Sequence, residues 1–235
     1  MDVGRRALAM AAGLRIVPEL AVVDPAAAAG MLRAVFGFVG TGDLLVLGDQ
    51  AVAVVQAERA AGQGGIDHLA LAVADVDEAL AGLMARGARL EATTPEGPRE
   101  IAEFWEGGVR YVFLEGPEGA RIELCGRLVG APREGLPGHD HIGIPCTDLA
   151  AVEGFFLGLG LQPVAAVDLQ RDDGVTRVRF LAAGTSVVEL YEPPALRGAV
   201  APFAAEGLWR GLRLEGSAEA KGLRIGPDGL RVTVV

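Results

Sequence analysis

Asp67-His68-Leu69-Ala70-Leu71-Ala72-Val73-Ala74-Asp75 returns 73 positions later as Asp140-His141-Ile142-Gly143-Ile144-Pro145-Cys146-Thr147-Asp148. Each copy opens on an Asp-His pair, runs through alternating side chains and closes on a second Asp. Farther along, Arg121-Ile122-Glu123-Leu124-Cys125 is answered by Val187-Val188-Glu189-Leu190-Tyr191, now 66 positions away, so the second copy is shorter by seven residues. Internal repetition on this scale governs the architecture and is read before any single element.

Each copy shows the same order: an apolar strand, a helix, then short strands separated by Gly and Pro, a β-α-β-β-β unit. In the first copy Asp75, with Glu78 three residues on, is a helix-capping signal. Ala79, Leu80, Leu83 and Met84 give that helix an apolar face to pack on its sheet, and Gly87 closes it after about Arg86. In the second copy Thr147 or Asp148 caps a helix through Val152, Phe155 and Phe156 that breaks at Gly158-Leu159-Gly160.

A fainter unit precedes the two copies. It has a strand from Pro18 to Val23, Asp24-Pro25 opening a helix to about Phe36, and strands near Leu44 to Leu47 and Ala51 to Gln56, with no His. After Pro193-Pro194 the tail offers Leu208 to Leu214 and a hairpin, Leu223 to Ile225 and Leu230 to Val234, turned by Pro227-Asp228-Gly229. The expected fold is α+β, with tandem β-α-β-β-β modules pairing into a cupped, barrel-like sheet. The expected units are 1–63, a degenerate module; 64–130 and 137–194, the two repeats; and 200–235, a truncated module. Gly62 to Gly65 and Pro132 to Gly138 read as linkers.

With 235 residues, 51% hydrophobic and 22% charged, the chain has the material for a packed core. Lys and Arg total 21 against 31 Asp and Glu, a net charge of -10, so nucleic acid is not an expected partner. Cys125 and Cys146 are too few for a disulfide scaffold, and a reducing cytoplasm is the expected compartment. Arg5-Arg6 followed by the short apolar run Ala7 to Leu14 is rejected as a signal sequence, and no run of about 18 apolar residues offers a membrane span.

Side chains alternate along a strand, so His68 shares a side with Ile66, Ala70 and Ala72, while Leu69, Leu71 and Val73 face the helix. His141 likewise sides with Gly143 and Pro145. Glu123 and Glu189 each sit between apolar neighbours, and a buried carboxylate without a partner is costly. Two His and two Glu at equivalent places therefore suggest one shared divalent ion, with Zn, Ni, Fe, Mn and Co equally compatible in kind. Tyr191 shares the side of Glu189 and is expected to line a pocket, whereas Cys125 reads as a small hydrophobe. Arg110, Arg177 and Arg179 alternate with apolar residues on preceding strands, and Arg110 and Arg179 are taken as binders of an anionic substrate group. His139 is expected at the surface. Gln56 holds the place analogous to Glu189 but has no His companion.

The repeated D-H-[LI]-x-[LI]-x-x-x-D starts, the Gly-Pro-Glu-Gly turn at 116–119 and the ends I-E-L-C and V-E-L-Y resemble the vicinal oxygen chelate superfamily, also called the glyoxalase, bleomycin-resistance and extradiol-dioxygenase superfamily. The resemblance covers residues 64–194 well and the remainder weakly. It implies paired modules cupped around a metal, with His68, Glu123, His141 and Glu189 as ligands. This set is similar to that of glyoxalase I, from which the chain departs by its extra N-terminal unit and tail. By analogy the chain is expected to be a metal-dependent lyase or isomerase that abstracts a proton from a small substrate chelated through vicinal oxygens, with Glu123 and Glu189 as bases. Two alternatives stand beside it: an Fe(II) extradiol-type dioxygenase using the two His and one Glu, and a protein that binds a small ligand without turnover. Pairing of modules between the subunits of a homodimer is left open.

Overall fold

The computed structural model describes residues 13–48, 50–130, 139–203 and 206–235. Most of the Arg5 to Leu14 stretch, the 132–138 linker and the His139 side chain lie outside the described residues.

The first unit consists of β1 (Arg15–Val22), α1 (Pro25–Ala34), β2 (Leu44–Leu47) and β3 (Gln50–Gln56). The first repeat follows with β4 (His68–Ala72), α2 (Val76–Ala85), β5 (Arg99–Ile101), β6 (Val109–Glu115) and β7 (Arg121–Arg127). The second repeat gives β8 (His139–Pro145), α3 (Leu149–Gly158), β9 (Gln162–Arg171), β10 (Gly174–Ala183) and β11 (Ser186–Glu192). The tail supplies β12 (Trp209–Glu215), β13 (Gly222–Ile225) and β14 (Arg231–Val234). These strands make two mixed sheets. One is six-stranded, in the order β13-β14-β12-β1-β3-β2, and the other eight-stranded, in the order β5-β6-β7-β4-β8-β11-β10-β9. The two repeats thus share a curled sheet, and the first unit and the tail share the other. None of the described helices is long and apolar enough to cross a membrane.

Each helix starts where an Asp carboxylate can accept from an exposed amide: Asp24 from Ala27 N, Asp75 from Glu78 N and Asp148 from Ala151 N, at 2.9, 2.9 and 3.0 Å. Asp148 is therefore the cap of α3, and Thr147 is not. Gly87, with φ 98°, leaves α2 in the left-handed conformation open to glycine. Val76 and Leu83 are the buried residues of α2, with Ala79 and Leu80 packed against the core. Met84 departs from expectation and is 49% exposed, because it lies one step around the helix from Leu83, at the edge of the apolar stripe.

One apolar core joins both sheets and all three helices, drawing Ile16 and Leu20 from β1, Ile122 and Leu124 from β7, Ile142 and Ile144 from β8, and Leu212 and Leu214 from β12. The other face of the eight-stranded sheet forms the inside of the cup, carrying Ala70, Cys125, Val178 and Phe180. The halves are further joined by two equivalent turns. In Gly116-Pro117-Glu118-Gly119, Glu118 takes φ 53° and its carboxylate accepts from Val23 N and Asp24 N, at 3.0 and 2.9 Å, ahead of α1. In Gly226-Pro227-Asp228-Gly229, Asp228 takes φ 58° and accepts from Thr147 N at 2.8 Å and from Thr147 Oγ1 at 2.5 Å, ahead of α3. Each sheet thereby holds the start of a helix that belongs to the other.

In the six-stranded sheet Glu19 pairs with Ala53 in the ladder, as Ala70 pairs with Glu123 and Gly143 with Glu189. Ala53, not Gln56, therefore stands at the place of the repeat glutamates. Gln56 spends its amide on the carbonyls of Val23 and Ala57, both at 2.8 Å. Val17 takes the place of His68, and Glu19 is paired to Arg213 at 2.7 Å and Arg210 at 3.3 Å. This half carries an ion pair where the other carries the histidines and glutamates. Replacing Asp228 by Ala removes two hydrogen bonds at a part-buried helix start and is expected to cost about 1–2 kcal/mol in denaturant unfolding with an unchanged slope.

Candidate metal centre

The central ladder decides where the histidines point. β4 and β8 run antiparallel with His68 opposite Gly143 and Ala70 opposite His141, so each His has a small residue across from it. The parallel neighbours place Glu123 beside Ala70 and Glu189 beside Gly143. The four side chains then fall into one cluster related by an approximate two-fold axis. A Cβ on Gly143 would lie 2.1 Å from His68 Cε1, so the imidazole occupies space that only glycine leaves. The ladder skips from Ala70–His141 to Leu71–His139, which makes Asp140 the extra residue of a β-bulge. The bulge breaks strict alternation and lets Asp140 reach the ring of its neighbour His141.

His68 Nε2 lies 3.0 Å from Glu123 Oε2, 3.1 Å from His141 Nε2 and 3.8 Å from Glu189 Oε2. His141 Nε2 lies 3.2 Å from Glu189 Oε2 and 3.5 Å from Glu123 Oε2. All four residues are buried. Ligand atoms each about 2.0–2.2 Å from one centre stand about 3 Å apart at right angles and about 3.4 Å apart at tetrahedral angles, so His68, Glu123 and His141 form a group that could hold a divalent ion, with Glu189 beside both histidines. Behind it, each Nδ1–H donates to a carboxylate at 2.8 Å, His68 to Asp67 and His141 to Asp140. This fixes the tautomer and leaves both Nε2 atoms facing the centre. Asp67 is itself held by Arg121, whose other Nη donates to Glu91 at 3.1 Å.

Without an ion the cluster holds protons. Burial pushes the His68 imidazolium down, but Asp67 and Glu123 outweigh it and carry the ring up to about 9. Burial likewise opposes charge on His141, and Glu189, Asp140 and Glu123 together hold it well above the ordinary imidazole value. Glu123, which burial would raise, is drawn down to about 2 by His141 and His68. Imidazolium cannot ligate, so an incoming ion displaces these protons.

The cluster forms the floor of a cavity of about 300 Å³ whose wall includes Tyr191, Cys125, Phe113, Phe180, Phe104 and Trp105. Arg110 and Arg179 are not among its lining residues. Arg110 alternates with Val112 and Leu114 toward the helix side, where Asp77 binds it at 2.8 and 2.9 Å, and Glu100 adds 3.1 Å. Arg179 turns to Asp168 at 3.3 Å, and Arg177 is held by Glu192. Cys125 lines the cavity alongside Tyr191. The carboxylates behind the histidines were not singled out from sequence, although the duplicated Asp-His pair carries the signal.

No family model and no curated protein matches the chain. Among solved structures, glyoxalase I from Zea mays is similar at 16% identity and a TM-score of 0.71, covering 94% of this chain and 92% of that one. A variant of the same enzyme is similar at 14% identity and a TM-score of 0.71, covering 99% of this chain and 96% of that one. The chain therefore has a glyoxalase-like α+β fold. The similarity takes in the first unit and the tail, so these are parts of the shared fold and not departures from it.

Two results are expected of this centre. Titrating the ion-free protein at pH 7 with Zn or Ni should release about two protons per ion, read as the dependence of calorimetric heat on the buffer, with affinity rising as pH is raised. Gly143→Ala should weaken metal uptake at least tenfold by displacing the His68 ring, whereas Ala70→Gly should leave it within a few fold.

Proposed function

We propose that the protein is a metal-dependent lyase or isomerase of the glyoxalase type, acting on a small substrate that presents two vicinal oxygens. The observation that carries this reading is the convergence of the two imidazole Nε2 atoms, 3.1 Å apart, with one carboxylate oxygen each of Glu123 and Glu189 at 3.0 to 3.8 Å from them, on the floor of a largely apolar cavity. His68, Glu123, His141 and Glu189 would hold the ion, which when bound supplies positive charge to stabilise developing oxyanions. His68 and His141 act as fixed supports, since Asp67 and Asp140 bind their outer nitrogens and leave them no part in proton transfer. Glu123 is held between both histidines, at 3.0 and 3.5 Å. Glu189 stands 3.8 Å from His68 and is the carboxylate better placed to turn toward a substrate carbon and take its proton. Tyr191, two residues along the same strand, lines the cavity, where its hydroxyl donates to Asp67. Its proton is firmly held, because burial first and then Asp67 and Glu189 push the phenol well above its ordinary range.

The test separates holding the metal from moving the proton. His68→Ala or His141→Ala should lose metal and turnover together. Glu189→Gln retains a carbonyl oxygen for the ion but no basic site, so it should keep metal within about tenfold while solvent-deuterium exchange of the substrate α-proton falls by about 10²–10⁴. Unchanged exchange in both Glu→Gln variants, or consumption of O₂ with stoichiometric Fe, would sink the reading in favour of oxygen chemistry.

A further inference from the structure

The repeat sets the two halves of the centre in matching places, and one strand breaks the equivalence. β7 turns Arg121, Glu123 and Cys125 to the inside of the cup, where the ladder sets them beside His68, Ala70 and Ala72 of β4. At the equivalent places, 66 positions on, β11 carries Val187, Glu189 and Tyr191. The first repeat therefore has a guanidinium next to its histidine where the second has a buried valine.

Arg121 is held on several sides. One Nη donates to Asp67 Oδ1, the oxygen that His68 leaves unused, since His68 Nδ1 donates to Asp67 Oδ2 at 2.8 Å. The other Nη donates to Glu91 Oε1 at 3.1 Å, and Glu91 Oε2 in turn accepts from Thr93 N at 2.6 Å. The guanidinium also lies 5.5 Å from the centroid of Phe113, whose ring meets His68 edge-on at 5.1 Å. From the other sheet, the fully buried Trp209 donates its indole N–H to the Arg121 carbonyl at 3.2 Å. The Arg121 and Asp67 side chains are each less than one-fifth exposed, so water and salt screen their attraction little. The Asp140 side is built differently. Arg127 acts on Asp140 by charge, while its guanidinium sits over the Trp105 ring at 4.3 Å and its Nε and Nη2 are buried without a hydrogen-bond partner. Arg127 is thus seated on an aromatic face, whereas Arg121 is forked between two carboxylates.

We propose that Arg121 is a positioning residue of the metal centre: anchored by Glu91, it fixes the Asp67 carboxylate, which fixes the His68 ring, and so makes His68 the more firmly held of the two imidazoles. A carboxylate behind a ligating imidazole orients the ring only as well as the carboxylate is itself held. The inference rests on the metal-holding part of the proposed function and is independent of its proton transfer.

The experiment measures Zn affinity by calorimetry and the visible absorption of the Co-loaded protein, at a single pH. Arg121→Ala should weaken metal uptake at least tenfold and change the Co spectrum, whereas Arg127→Ala should weaken uptake less than threefold. Arg121→Lys keeps the charge but cannot span Asp67 and Glu91, so it should stay within threefold of the alanine variant. Millimolar guanidinium added to the Arg121→Ala protein should return its affinity to within threefold of the unaltered protein, a rescue that general damage to the fold does not permit. On an Asp67→Asn background Arg121→Ala should cost less than twofold, because the residue through which it acts is already lost. Glu91→Ala leaves Arg121 in place, should cost at least threefold, and carries the test if Arg121→Ala does not fold. Unchanged affinity in Arg121→Ala or Glu91→Ala, equal losses at Arg121 and Arg127, rescue by lysine, no rescue by guanidinium, or additive losses with Asp67→Asn would overturn the inference and leave the metal reading standing. No metal uptake by the unaltered protein overturns both. The expected losses without solvent-deuterium exchange of any substrate proton uphold the inference and remove proton transfer alone.

Discussion

Everything at the centre of this molecule depends on the register between β4 and β8. With His68 opposite Gly143 and Ala70 opposite His141, each ring crosses the midline of the sheet toward the other, and the parallel strands outside deliver one glutamate to each side. A one-residue slip would turn His68 and Ala70 to the helix side and bring Leu69 and Leu71 into the cup, exchanging the ionic centre for an apolar one. The glycine is the tight point, since the His68 ring lies where any larger residue would place its Cβ. The helices, the caps and the second sheet hold this register from behind, through a core shared by all of them.

A buried group of two histidines and four acids is tolerable because it is arranged in alternating sign. Each ring has one carboxylate on its outer nitrogen and others at its inner one, and Arg121 with Glu91 extends the alternation outward from Asp67. Removing one partner from such a cluster leaves a buried charge without compensation, which costs far more than the net contribution of the pair. At the inner nitrogens two like groups face each other, His68 Nε2 and His141 Nε2 at 3.1 Å. A shared cation would remove that conflict.

The fold was legible because it is written twice. Matching Asp-His starts and Glu-bearing ends located both repeats, and three Asp residues marked the helix starts to within a residue. The clustering of His68, Glu123, His141 and Glu189 was legible for the same reason, since coincidence across a repeat singles out positions that one strand alone does not. Strand parity was less transferable. It places His68 correctly from its own neighbours, but whether Arg110 faces the cup depends on which face of β6 turns inward, and Tyr111 and Phe113 take that face. Asp140 was hidden by its bulge, because alternation assigns adjacent residues to opposite faces. The partnership of the first unit with the tail joins β1 to β12 across nearly the whole chain, and no local pattern signals so distant a pairing. Gln56 was misplaced because apolar neighbours alone do not reveal which residue a ladder sets opposite Glu19.

The two equivalent turns divide the chain along a different line from the sheets. Glu118 grips the start of α1, and both belong to the part of the chain before residue 131; Asp228 grips the start of α3, and both belong to the part after 138. Each sheet, by contrast, takes strands from both parts. In topology the molecule is therefore a two-fold dimer written on a single polypeptide, whose members each straddle both sheets. Opening the backbone within 131–138 would sever no described strand pairing and neither grip, so the two pieces would be complementary partners rather than separate domains.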